Sequence, residues 1–230
     1  MPSTTSIGGC DGDKMNIKGA IFDLDGTLLD SMFIWDSIGE NYLISRGITP
    51  EKGLNEKFKT MSIVQAAEYY RETYGLTECV QEIVDGVNGM IDHLYANVVA
   101  TKDGVPELLE KLRSNGVKMC VATATDRYMV ESALRHNNIF HYFSGILTCT
   151  EVGIGKDNPE IFEQALKLLD TKKHETLVFE DAVHAIETAK KAKFKVVGVF
   201  DRSSIQAQEK IKEMVDYYAL SLSELCIDEY

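Results

Sequence analysis

A cysteine framework is missing from this sequence. The five cysteines, Cys10, Cys79, Cys120, Cys149 and Cys226, form no Cys-x-x-Cys pair and are odd in number. That argues against a disulfide scaffold and against a zinc site. Cys120 and Cys149 sit in apolar, strand-like surroundings and are expected to pack. A reducing, cytoplasmic setting is the simplest reading. Long apolar runs are also absent: no stretch approaches the roughly 18–20 residues that span a bilayer. The opening MPSTTSIGGCDGDK has no apolar segment of the secretory kind and reads as a polar, Gly-rich tail over residues 1–16. Positive charge is scarce, with 24 Lys and Arg against 36 Asp and Glu, a formal net charge of −12. Nucleic acid and anionic membranes are therefore poor partners, since neither is attracted over long range.

What is present is the pattern of an α/β protein. At 44% hydrophobic and 26% charged, the 230 residues suit one large domain or a core with an insert. Short buried runs at 18–22, 118–123, 145–148, 176–179 and 195–200 read as strands. Helical patterns separate the later ones. Leu108, Leu109 and Leu112 share a face between Pro106 and Gly116. Residues 127–138 and 182–192 are helical, and Asn158 is placed to cap a helix that starts at Pro159. Repeated strand–helix units imply a parallel sheet covered on both faces. Residues 32–99 break the rhythm and contain no convincing strand. Ile63, Ala67, Tyr70 and Tyr74 form one helical face; Ile83, Val87, Met90, Ile91, Leu94 and Val98 form another. The expected organisation is a tail (1–16), a Rossmann-like core (17–31 and 100–230) and a helical insert (32–99).

Ligands of an open parallel sheet bind outside the C-terminal ends of its strands. The first strand delivers Asp23 and Asp25 there, the second Thr123, and the fourth Glu180 and Asp181, while Lys156 follows the third. Like-charged carboxylates at ~4 Å cost about 4 kcal/mol per pair at an effective dielectric near 20. Protonation or a cation must relieve them, and an all-oxygen set without His or Cys selects a hard ion such as Mg²⁺. Asp23 could then hold the ion with one oxygen and attack a phosphate with the other. Asp25 is placed to give a proton to a leaving oxygen and later to take one from water. Thr123 and backbone N–H groups after Asp23 would hold phosphate oxygens. Taken singly, each residue has a plainer reading: Glu180 and Asp181 as acids at a helix start, Lys156 as a surface lysine, DLDG as a calcium loop. A calcium loop follows a helix and has Gly at its sixth position; here a strand precedes and Gly26 is fourth from Asp23. The constellation, rather than any member, points to chemistry.

FDLDGTLLDS, VATAT, GKDNPEIF and VFEDA, in that order, resemble the four motifs of the haloacid dehalogenase superfamily. More narrowly they are similar to its phosphatases and β-phosphoglucomutase-like members with a helical cap after the first motif. The likeness runs from residue 17 to about 225. It implies a Mg²⁺-dependent phosphatase acting on a small phosphomonoester, a sugar phosphate or similar metabolite, through an aspartyl-phosphate. Asp23 matches the nucleophile, Asp25 the acid/base, Thr123 the phosphate-binding hydroxyl and Lys156 the lysine that steadies both. Asp23, Asp25 (through its carbonyl), Asp181 and Glu180 match the metal set. Gly26, Thr27, Ala124, Thr125, Trp35 and Arg127 are expected to line the substrate position. The protein would act as a monomer or homodimer. A sugar-phosphate mutase is the alternative reading, and a non-catalytic binding module a third. Asp157 and Glu160 replace a usual Pro and Asp of the third motif, and Ala185 and Lys193 stand where small glycines are usual. Trp35 and Ile63 occupy positions where the mutases carry His and Arg, which favours the phosphatase.

Overall fold

The computed structural model describes residues 6–7, 16–58, 61 and 63–227. The chain divides into two compact units, Met1–Asp30 with Ala100–Tyr230, and Ser31–Val99. Strand β1 (Ser6–Ile7) lies within the expected tail; residues 1–5 and 8–15 fall outside the described residues. Strand β2 (Gly19–Phe22) is buried throughout.

The 31–99 unit is helical: α1 (Met32–Ser45), α2 (Leu54–Phe58), α3 (Ile63–Tyr74) and α4 (Val80–Asn97). An aromatic cluster holds it. Tyr42 and Tyr70 stack with ring centroids 5.6 Å apart, Phe58 meets Tyr70 edge-on, and the Tyr70 hydroxyl donates to the Gly39 carbonyl at 2.8 Å. The buried face of α4 is Ile83, Val87, Ile91 and Tyr95, a step of four residues. Val98, expected on that face, is exposed, because the helix ends at Asn97 and Val99 turns inward instead.

The core continues with α5 (Val105–Ser114), β3 (Lys118–Thr123), α6 (Arg127–His136), β4 (Phe143–Thr148), α7 (Cys149–Val152), α8 (Glu160–Leu169), β5 (Thr176–Glu180), α9 (Val183–Lys191), β6 (Lys195–Val199), α10 (Gln208–Met214), β7 (Tyr217–Ala219) and β8 (Cys226–Ile227). Six strands form one sheet in the order β4-β3-β2-β5-β6-β7, every pair parallel, and β1 pairs with β8 separately. This is a Rossmann-like sheet. The chain builds to one side of β2 and then to the other, so β2 lies at the switch point where such sheets bind ligands. Alternate side chains fill opposite faces. Ile21, Cys120, Val178 and Val196 share a core cluster with Phe162, Ile186 and Ile211, whereas Phe22 and Phe179 stack on each other at 4.3 Å.

Three local expectations change. Helix α8 starts one residue late, with Pro159 in the cap position, yet Asn158 Oδ1 still accepts from the Glu160 N–H at 3.0 Å and so does the work of a cap. Strand β7 lies outside the expected strands, since two half-buried tyrosines and one buried alanine at a sheet edge leave little periodic signal. Strand β5 runs on to Glu180, which is a strand residue and not yet a helix start.

Lys193 illustrates a glycine position held by another residue. The Phe194 N–H donates to Ala189 O at 3.0 Å and the Lys193 N–H to Lys190 O at 2.9 Å, the paired bonds of a Schellman ending to α9. That motif requires a left-handed residue, and Lys193 has φ +66°. A side chain there costs on the order of 1–2 kcal/mol. Lys193→Gly is expected to raise stability by up to about 1 kcal/mol and the β-branched Lys193→Val to lower it by more than that. Urea unfolding of both variants checks the pair, and equal stabilities would contradict it.

Candidate active site

Register brings the acids together. Phe22 pairs with Phe179, so the next residues, Asp23 and Glu180, are neighbours across the strands. The Asp23 N–H extends the ladder by donating to Phe179 O at 3.0 Å. Lys156 comes from the loop between α7 and α8 and is buried between these two acids. Its Nζ donates to Asp23 Oδ1 and, at 2.8 Å, to Glu180 Oε2. The other Glu180 oxygen accepts from the N–H groups of Asp181 and Ala182, each at 3.1 Å. Glu180 is thus bonded on both oxygens and anchors the lysine. Oxygens of Asp23, Glu180 and Asp181 lie within 4.8 Å of one another.

Three buried carboxylates face one ammonium, which leaves excess negative charge if all ionise. Burial, then Glu180, with Asp25 adding, pushes the Asp23 pKa from 3.8 to about 8 against the pull of Lys156. Burial, followed by Glu180, Asp23 and Asp201, likewise raises Asp181 well above the carboxylate range. For Lys156, burial alone would disfavour the charge, but Asp23 and Glu180 outweigh it and hold the pKa above that of an ordinary lysine. The cluster therefore wants either protons or a cation. Carboxylate oxygens alone, with no His or Cys, fit a hard divalent ion.

The turn after Asp23 is shaped to meet Asp181. Gly26 has φ +79°, and a Cβ there would stand 2.5 Å from Asp181 Oδ2. Both conditions demand glycine. Next to it, Thr27 Oγ1 donates to Asp181 Oδ1 at 3.1 Å. The Asp25 side chain is not in the three-carboxylate group; its Oδ2 accepts from Thr125 Oγ1 at 2.5 Å. Thr125 in turn donates its N–H to Thr123 Oγ1 at 3.1 Å, so Thr123 keeps its hydroxyl proton for another acceptor.

The other expected substrate residues have different surroundings. Ala124 is exposed beside Thr123 and Thr125. Arg127 is taken up by Glu151, through Nε and through Nη2 at 2.7 Å, and by the Ile146 carbonyl at 2.8 Å, so it ties α6 to β4 and α7. Trp35 belongs to the helical unit, on α1, with its ring partly exposed. Two residues escaped the sequence reading: Lys102 and Asp201, an ion pair at 2.7 Å beside the Gly26 turn. Asp201 stands two residues beyond the C-terminal end of β6, the same kind of position that Asp181 and Asp25 hold beyond their strands.

The charge imbalance has a pH consequence in metal-free protein. A carboxyl whose pKa rises on folding makes the folded state bind more protons, so stability is present at low pH and declines as pH rises from about 4 to about 8. In EDTA, Asp23→Asn is expected to flatten that decline. Urea midpoints across this range measure it; an unchanged slope would remove Asp23 as its source.

A model of the family described as haloacid dehalogenase-like hydrolase matches residues 20–199. A phosphorylated carbohydrates phosphatase of Thermotoga maritima is 24% identical over 176 residues, 76% of this chain and 82% of that protein. An Arabidopsis thaliana mitochondrial (DL)-glycerol-3-phosphatase is 27% identical, over 83% of this chain and 66% of its own length. Among solved structures, a candidate β-phosphoglucomutase from Thermotoga maritima superposes with a TM-score of 0.77 at 22% identity, covering 90% of this chain and 96% of that one.

Proposed function

The chain belongs to the haloacid dehalogenase-like hydrolases, an enzyme family in which its curated relatives are phosphatases, and on that footing we propose a Mg²⁺-dependent phosphatase of small phosphomonoesters. A sugar phosphate or similar metabolite is the proposed substrate. The supporting observation is the buried Lys156 gripping Asp23 and Glu180, with Asp25 held by Thr125, whose own N–H is bonded to Thr123.

In this reading Asp23 Oδ1 is fixed by Lys156, which leaves Oδ2 to attack phosphorus. An Asp23–phosphorus bond forms as the ester P–O bond breaks, and a proton from Asp25 goes to the departing oxygen. Asp25 then takes a proton from water, which attacks phosphorus and releases Asp23 and inorganic phosphate. Thr123 Oγ1 and the turn's N–H groups bind the phosphoryl oxygens. Thr125 aims Asp25. Asp23 and Asp181 would hold the ion with the Asp25 carbonyl, while Glu180 serves mainly through Lys156. Bound there, Mg²⁺ supplies positive charge that lets an anionic nucleophile meet an anionic substrate. Arg127 serves as a loop anchor through Glu151 and the Ile146 carbonyl. Among the described residues no helix is long and apolar enough to cross a membrane, and Cys79, Cys120 and Cys149 are free thiols; a cytoplasmic enzyme is the matching proposal.

A panel of phosphorylated metabolites, each with and without Mg²⁺, tests the reading by release of inorganic phosphate. Steady release that needs Mg²⁺ is expected, with Asp23→Asn reduced at least about a thousandfold. Full turnover by that variant would end the proposal. Isomer formation without net phosphate release would replace it with the mutase.

A further inference from the structure

Lys102 is bonded like a keystone. Its side chain is mostly buried, and Nζ donates to the Gly26 carbonyl at 2.8 Å, the Phe200 carbonyl at 2.6 Å and Asp201 Oδ2 at 2.7 Å. An ammonium has three protons, and all three are spent. The counterion is fixed as firmly: Asp201 Oδ1 accepts from the Ser203 N–H at 2.9 Å and from its hydroxyl at 2.7 Å. The Lys102 backbone joins the same turn, its N–H donating to Leu28 O at 2.9 Å.

The target of this grip is informative. The turn from Asp25 to Leu29 is otherwise closed largely on itself, with Gly26 N–H to Leu29 O and the N–H groups of Leu28 and Leu29 to Leu24 O, each at 2.9 Å. Gly26 is left-handed, stands between Asp25 and Thr27, and its carbonyl oxygen accepts from Lys102. A change in the Gly26 backbone would swing Asp25 relative to Thr27, which holds Asp181. Lys102 thus ties the end of β6 to the turn that carries the acid/base.

We propose that Lys102 is a positioning residue for phosphoryl transfer, holding the Gly26 peptide so that Asp25 and Thr27 keep their aim. The proposal rests on the phosphatase reading but is separable from it. Lys102→Met keeps the stem and removes the donors; Lys102→Arg keeps the charge and moves them. Expected for Lys102→Met is a kcat 10- to 100-fold lower with KM within about threefold of wild type, measured where circular dichroism shows the variant folded. Amide exchange in the metal-free protein should quicken at least about fivefold across residues 24–29 and stay unchanged across β3. Lys102→Arg should lose at least about fivefold in kcat at nearly native stability, and it decides the matter if the Met variant does not fold. A kcat within twofold of wild type for the folded variant overturns the proposal, as does unaltered exchange across 24–29. Wild-type protein that releases no phosphate would sink the phosphatase reading alone, and exchange would still decide the role of Lys102.

Discussion

One buried ammonium among buried carboxylates sets the conditions for everything at this sheet edge. Lys156 cannot leave Asp23 and Glu180 without stranding two acids that solvent does not reach. Removing one partner of such a group costs more than the pair contributes, because the remaining charge is left unsatisfied. Yet one lysine does not neutralise three carboxylates. The residual negative charge makes full ionisation expensive, and protons or a hard cation would relieve it. The expected loss of stability at rising pH and the fit of the cluster to a divalent ion thus share a single cause.

The arrangement depends on strand register more than on any loop. Asp23 and Glu180 are adjacent because Phe22 and Phe179 are paired, and those rings also stack beneath them. A slip of one residue would turn Asp23 toward the opposite face. Glycine at position 26 then lets the chain turn back against Asp181 within contact distance. Strand ends carry Asp23 and Glu180, a loop carries Lys156, and a single tight turn carries Asp25.

Much of this was legible in the chain itself. The strand–helix rhythm and the acids at strand ends follow from short apolar runs and from the rule that parallel sheets bind at their C-terminal edge. Asp23, Thr123, Lys156, Glu180 and Asp181 needed only that rule to be placed together. Other features were not legible, for physical reasons. Arg127 is drawn off by Glu151, a contact that no local pattern announces. The three acceptors of Lys102 include residues 76 and 99 positions away, and a lysine flanked by polar residues looks solvated. The missed β7 is short and marginal, so tertiary context, and not periodicity, makes it a strand.

Where the helical segment departs and rejoins the sheet domain, the two backbone stretches lie side by side. Leu29 bridges Thr101, and the Asp30 N–H reaches the Ala100 carbonyl at 3.0 Å. The sheet domain's own path is therefore nearly closed without its guest. Such an entry point tolerates exchange: a longer, shorter or unrelated module can be grafted between positions 30 and 100 while the acids, the lysine and their ladder keep their places.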